Sequence, residues 1–412
     1  MNNVESNSQR VIGFDSHPDS FTAALLRGPT PAAAVVEKLF HQVPLDQLSS
    51  WAKKNTTAAD LFVLEASGNS FQVARWLAAV GRQAKVLESC HLGKLKEAHA
   101  NNDKISAVRI GKAYLAGTAK TVWLPDPQTQ ERRDWFHCHA KAVKRTTRER
   151  NSLLSYLSDN GVRLPRGLRL TQPTGQAQVR ALKPWTPRQW QVIEGKLMAL
   201  RHAEEQRQHW RSLIAQEVAT DPRLLSLVRL CGIRDLVAFA LGAMIGDIHR
   251  FARPGSLVKY LGLDPAFDDS GLGKWRGGIG GHGRKDLRCL LIEAAQAIIR
   301  SRQPVAAWGK RLLARKGSLN LAVAALARKL AVAVWYLLMG KEAPLTEIDQ
   351  PLALKVGKII SHIGPAGLKE LGQSRLSLRQ HLCQTLKTGI YVLNPDQKFT
   401  PTKPLAPAPT PA

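Results

Sequence analysis

Hydrophobic positions come in short runs over the first third of this chain and at helical spacing over the rest. Val11-Ile-Gly-Phe14 is an apolar run closed by Asp15, and Phe21-Thr-Ala-Ala-Leu-Leu26 reads as its hairpin partner. Leu61-Phe-Val-Leu64 is a second buried strand and ends at Glu65. A helix from about Ser70 to Val80 follows, then a strand near Lys85-Val-Leu87. From Asp103 a helix is predicted to about Ala116, with Ile105, Val108 and Leu115 on one face and Gly117 as its stop. A hairpin followed by strands alternating with helices predicts an α/β sheet domain over residues 10–130.

Past about Asp134 the pattern lengthens into helices. The first carries Lys141, Lys144, Arg145, Arg148 and Arg150 and ends near Gly161, and a linker containing Pro and Gly follows from Pro165 to Pro184. Thr186-Pro187-Arg188-Gln189 is a capping box with proline at the first helical position. Behind it, Ile193, Leu197, Leu200, Ala203, Trp210, Ile214 and Val218 form a heptad-like spine with interruptions. That spine predicts a coiled coil or helical hairpin, and packing within its own domain accounts for it equally well. This basic, coiled-coil-like middle spans 131–220, a mainly α carboxy-terminal domain 221–345, and an extension 346–412. Within the third region, Cys231-Gly-Ile-Arg-Asp-Leu and the apolar stretch to Ile245 resemble a helix-hairpin-helix, with Cys231 and Arg234 in place of the usual proline and second glycine. The apolar run Leu321–Gly340 is broken by Arg328-Lys329 and reads as a buried helix. The tail after Phe399, with Pro401, Pro404, Pro407, Pro409 and Pro411, reads as disordered.

Charge narrows the partners. The 412 residues hold 59 Lys and Arg against 32 Asp and Glu, a formal net charge of +27, which points to a polyanion and first to nucleic acid. Five cysteines, an odd number without CxxC spacing, argue against a disulfide framework or a zinc site. His137-Cys138-His139 has ligand-type residues, but neighbours on a helix diverge, which argues against a metal site there. The first ten residues lack the apolar core of a signal peptide, so the expected location is cytoplasmic, with no membrane span.

Candidate chemistry concentrates in two places. From Leu263 to Arg288 the chain places Ser270 before glycines 271, 273, 277, 278, 280, 281 and 283, interleaved with Lys274, Arg276, Arg284, Lys285 and Arg288. Glycines let backbone amides approach an anion, cations neutralise phosphate, and a serine hydroxyl beside them is a candidate nucleophile toward a phosphodiester. A glycine-rich basic loop is also a common flexible connector. Ser256 and Ser301, expected on helices, read as solvated hydroxyls. The second place is acidic. Asp15 and Glu65 end two predicted strands and Asp103 opens a helix, and grouped carboxylates bind hard divalent cations such as Mg2+.

Ile-Gly-Phe-Asp15, Val-Leu-Glu65-Ala-Ser-Gly, Asn-Asp103-Lys-Ile-Ser-Ala and Val-Trp-Leu-Pro125 together resemble the amino half of the insertion-sequence transposase family numbered one hundred and ten, which includes Piv-type DNA invertases. Gly-Asp-Ile-His-Arg-Phe251 to Tyr-Leu-Gly-Leu263, Ser270-Gly, and Gly-Gly-Ile-Gly-Gly-His-Gly-Arg-Lys-Asp-Leu-Arg288 are similar to its carboxy-terminal domain in order and spacing. The resemblance covers roughly residues 10–345.

It implies a RuvC/RNase H-like amino domain of the DEDD type joined to a serine domain. It further implies that Ser270 attacks a DNA phosphodiester and becomes covalently linked, while Mg2+ (or Mn2+) held by Asp15, Glu65 and Asp103 stabilises the reacting phosphate. Recognition would be guided by a structured RNA from the element, and the working unit would be a homo-oligomer, dimer or tetramer. The long helix over 187–218 is where subunit contacts are expected. One position departs from the pattern: the family's helix motif is Asp-x-x-Asp, and here the second acid is Ser106. Three carboxylates then either suffice or leave a weakened cation site. Two other classes remain open, a RuvC-type nuclease or junction resolvase, and a non-catalytic nucleic-acid-binding relative.

Overall fold

A computed structural model describes residues 9–89, 102–165, 167–270, 273–280, 282–301, 304–343, 345–346 and 350–387, with backbone alone over 267–270 and 273–277. The tail after Phe399 and the first eight residues lie outside it. The described chain is mixed α/β and divides into two units, residues 1–126 and 127–412.

The first unit is built on a six-stranded sheet. Strands β1 (Val11–Ser16), β2 (Ser20–Arg27) and β3 (Val35–Pro44) form an antiparallel meander. Strands β4 (Leu61–Glu65) and β5 (Gln83–Leu87) lie parallel to β1, and the short β6 (Thr121–Val122) pairs antiparallel with β5, giving the order β3-β2-β1-β4-β5-β6. Period-two alternation divides the side chains between two faces. Ile12, Phe14, Phe62 and Leu64 pack with Leu48 and Trp51 of helix α1 (Leu48–Asn55) and Val73 and Leu77 of α2 (Ser70–Ala79). Val11, Leu61 and Val63 pack on the opposite face with Ile110 and Ala113 of α3 (Asp103–Leu115).

The hairpin and the two buried strands form where the apolar runs predicted them. Strand β3 was not expected: it is an edge strand whose Val35, Val36 and Leu39 are exposed, so no buried face imprints a pattern on it. The face assigned to α3 needs correction. Ile105 is 49% exposed, Val108 and Leu115 are partly buried against the core, and the helix fully buries Ser106, Ala107, Ile110, Gly111 and Ala113. The reason is close packing on β1, where a Cβ on Gly13 would lie 2.0 Å from the Ala107 carbonyl oxygen. Small residues make the closest approach to the sheet, Ile110 packs against it, and Ile105 is turned away.

The second unit is helical apart from one hairpin among the described residues. Helices α4 (Pro127–Asp159) and α6 (Pro187–Thr220) run antiparallel: Arg132 meets Glu217, Thr146 meets the Ala203 carbonyl, and Lys196 meets Ser152. The capping box at Thr186 is present, with Thr186 Oγ1 accepting from Gln189 N and Gln189 Oε1 accepting from Thr186 N. Ile193, Leu197 and Leu200 of the spine pack with Leu153 and Leu157 of α4, so the spine closes a hairpin within the chain. The segment expected as a plain linker contains a short helix, α5 (Pro173–Ala181).

Helices α7 (Pro222–Leu227), α8 (Asp235–Ile245) and α9 (Pro254–Tyr260) follow, then α10 (Lys285–Arg300), α11 (Pro304–Lys316), α12 (Leu319–Leu338), α13 (Gln350–Glu370) and α14 (Arg375–Thr385). They enclose one large core with the carboxy-terminal half of α6. Among the described residues α12 alone is long and apolar enough to cross a membrane, but 56% of its apolar window is buried in this core, as the charge-broken run predicted.

Candidate active site

Three predicted acids gather at one edge of the first sheet. Phe14 of β1 is level with Leu64 of β4, so the next residues, Asp15 and Glu65, stand near the ends of adjacent parallel strands. Phe14 and Leu64 face α1 and α2, so alternation turns Asp15 and Glu65 toward α3. Asp103 stands in the first turn of that helix, which Asn102 caps by accepting a hydrogen bond from Ile105 N at 2.9 Å. The close fit of Gly13 beneath Ala107 and Gly111 holds the start of α3 near the end of β1. Sequence alone indicated the acids; the glycine contact sets their distance.

His17 joins them. Its Nε2 lies 3.9 Å from Asp15 Oδ2 and 3.4 Å from Asp103 Oδ1, and one ligand atom from each residue falls within 4.8 Å of the others. Glu65 ends the neighbouring strand but is outside this tight trio. The sequence reading passed over His17, although the two-residue spacing of Asp15 and His17 in extended chain was a usable signal. Burial raises the Asp15 pKa, an effect opposed by His17, reinforced by Asp103 and opposed by Arg109. Ser106, at the family's fourth acid position, is buried on α3, and its hydroxyl accepts from Arg109 Nη2 at 3.4 Å. Two carboxylate oxygens and a solvent-shielded imidazole nitrogen without a hydrogen bond form a donor set that fits a divalent cation.

In the second unit, Ser270 ends strand β7 (Pro265–Ser270), which pairs antiparallel with β8 (Gly273–Ile279). The glycine-rich segment expected as an open loop is thus partly a β-hairpin, with Ser270 paired to Gly273 at its closed end. Side chains of Ser270, Lys274 and Arg276 lie outside the described residues. The base of the hairpin is described. Gly262 and Gly283 adopt φ of +67° and +86°, and a Cβ on Gly262 would lie 2.1 Å from the His282 carbonyl oxygen. Arg288 Nη1 reaches three carbonyls there, His282 at 3.0 Å, Gly262 at 3.3 Å and Gly280 at 3.4 Å. Arg284 pairs with Asp286 at 2.7 Å and contacts Met244 Sδ. Burial pushes the Asp286 carboxyl up, but Arg284 outweighs it and holds the pKa below the usual value. Lys285 is exposed.

Lys141, Lys144, Arg145 and Arg148 recur at helical spacing on α4 and all are exposed, which makes one basic stripe. Ser256 is exposed on α9, as expected. Ser301 is not within a helix: it caps α10, with its hydroxyl donating to the Ile298 carbonyl at 2.7 Å.

Residues 226–308 match the transposase IS116/IS110/IS902 family model, a span that includes Ser270 and the hairpin. The chain is 25% identical over 285 residues to the transposase for insertion sequence element IS1111A of Coxiella burnetii, covering 68% of this chain and 78% of that one. It is 22% identical over 309 residues to the transposase for insertion sequence element IS1328 of Yersinia enterocolitica, covering 73% and 89%.

Proposed function

We propose that this protein is an insertion-sequence transposase of the IS110 kind, a cytoplasmic DNA recombinase with Ser270 as nucleophile and Asp15, Glu65 and Asp103 as cation-holding acids. The observation that carries this reading is the transposase match over 226–308, the segment that holds Ser270 in its hairpin. Asp15 and Asp103 together at one edge of the first sheet, with Glu65 ending the neighbouring strand, support it. A bound Mg2+ or Mn2+ would neutralise charge on the reacting phosphate.

Ser270 Oγ attacks phosphorus, one DNA P–O bond breaks as one serine–phosphate bond forms, and the departing DNA oxygen takes up a proton in exchange for the one the serine loses. Bond number is conserved, so the reverse attack by another DNA end rejoins strands without ATP. The basic stripe on α4 and Lys285 contact phosphates, and a structured RNA of the element supplies base-pairing specificity, which a diffuse +27 charge accommodates. The active form is a homo-oligomer, and its contacts lie outside the buried spine of α6 because that spine packs within the chain.

Ser270→Ala should abolish strand exchange and the covalent adduct trapped on a nicked suicide substrate, with DNA binding intact, whereas Ser256→Ala should be silent. Recombination by Ser270→Ala would overturn the reading. A nuclease using only the acids would cleave and leave no adduct.

A further inference from the structure

We propose that His17 is a direct ligand of the divalent cation and that it biases this site toward Mn2+ over Mg2+. The inference rests on the proposed cation-holding role of the acids. Its starting point is one atom: His17 Nε2 is shielded from solvent and makes no hydrogen bond, although the side chain is 41% exposed and the nitrogen lies at ion-pair distance from two carboxylates. Two carboxylate oxygens face it, Asp103 Oδ1 at 3.4 Å and Asp15 Oδ2 at 3.9 Å. A nitrogen lone pair facing two carboxylates is satisfied when a cation lies among all three. Neighbouring ligands of an octahedral ion bound at about 2.1 Å lie about 3 Å apart, so the trio, at 3.4, 3.9 and up to 4.8 Å, closes by about 0.4 to 1.8 Å around the ion.

The backbone presents the ring from a braced turn. His17 N donates to the Ser20 carbonyl at 2.8 Å, and Asn69 Nδ2 donates to the His17 carbonyl at 2.7 Å. Asn69 Oδ1 accepts in turn from Ser16 Oγ at 2.9 Å, which ties the end of β1 to the loop after β4. Asn69 is therefore a positioning residue. With neutral Ser106 on α3, His17 supplies a ligand that a fourth carboxylate would otherwise give. Imidazole favours first-row transition ions over Mg2+, whereas an all-oxygen set does not, hence the bias.

The test uses the full-length protein and Mn2+ alone, with free ion followed by electron paramagnetic resonance and bound ion by pulsed detection of nitrogen coupling. Wild type should bind Mn2+ at least about tenfold more tightly than Mg2+ and show imidazole nitrogen coupling. His17→Ala should lose that coupling and weaken Mn2+ binding about 10- to 100-fold, with a smaller effect on Mg2+. His17→Asp should restore binding without the coupling and with the preference moved toward Mg2+. Asp15→Asn separates the two levels of the argument. If it abolishes Mn2+ binding while wild type shows no nitrogen coupling, His17 is only an ion-pair partner and the inference fails. If Asp15→Asn leaves Mn2+ binding unchanged, the acidic site itself is wrong, and His17 falls with it.

Discussion

Ser106 is where one residue decides between two accounts of the acidic site. Its hydroxyl is buried beside Arg109, so alanine there removes that hydrogen bond, about 1 kcal/mol. Asp103→Ala removes a carboxylate of the trio and should eliminate cation-dependent recombination, whereas Ser106→Ala should retain most of it. Ser106→Asp should keep or tighten metal binding, since helical spacing puts it on the Asp103 side of α3 and Arg109 offsets the buried charge. Recombination titrated against Mg2+ and Mn2+ compares the three variants, and equal loss in Ser106→Ala and Asp103→Ala would give the hydroxyl a larger role. His139 carries a second prediction. Burial, then the charges of Arg211 and Arg207, lower its pKa to about 4, so the folded protein keeps it neutral between pH 6.5 and 4 while the unfolded chain takes up a proton. This contribution is therefore complete above pH 6.5 and is lost as pH falls toward 4, by roughly 3 kcal/mol at about 1.4 kcal/mol per unit. Denaturant unfolding at pH 7 and pH 4 should show the loss, and His139→Asn should flatten it.

At the scale of elements, the β7–β8 hairpin depends on how its base is held. Arg288 reads in sequence as one more phosphate-binding cation, but its guanidinium gathers the carbonyls of Gly262, Gly280 and His282. Arg288→Gln should lower stability by about 1–3 kcal/mol, because carbonyls lose a charged donor, and should disturb the Ser270 hairpin more than nucleic-acid binding. Lys285→Gln, at an exposed position one turn earlier, should leave the melting temperature unchanged. Equal melting temperatures for both variants would remove the staple. Arg284, paired with Asp286, is likewise partly committed to the protein, so replacing all the arginines of this segment together would mix folding with binding.

Over the whole molecule, the cations behind the net charge of +27 differ in their surroundings: some are internal ties, whereas those of the α4 stripe are exposed, Arg145 beside Gln206 and Arg148 paired with Glu149. Arg132 is an internal tie, only 6% exposed and bridging Glu217 and Asp221 at 2.6 and 2.7 Å. Lys141, Lys144 and Arg145 are exposed. Replacing those three by glutamine should reduce the slope of log affinity against log salt by up to about 2.7 for duplex DNA, at about 0.9 per phosphate contact. Filter binding over a salt series measures this, and an unchanged slope would show that the stripe is only solvated surface.

The sequence by itself determined the elements with a buried periodicity: β1, β2, β4, the capped start of α6 and the apolar α12. Each has a local signal that its own neighbours reinforce. It also marked Asp15, Glu65 and Asp103, because acids at strand ends and helix starts are visible in one dimension. Tertiary structure decided the remainder. Edge strand β3 has no buried face to write a pattern, and the packed face of α3 depends on how closely Gly13 lets it approach β1. The place of His17 follows from a turn braced by Asn69, more than fifty residues away in the chain. Whether Arg284 and Arg288 face solvent or tie down backbone is likewise a matter of which carbonyls and carboxylates folding brings within reach, and no count of charges along the chain contains that information.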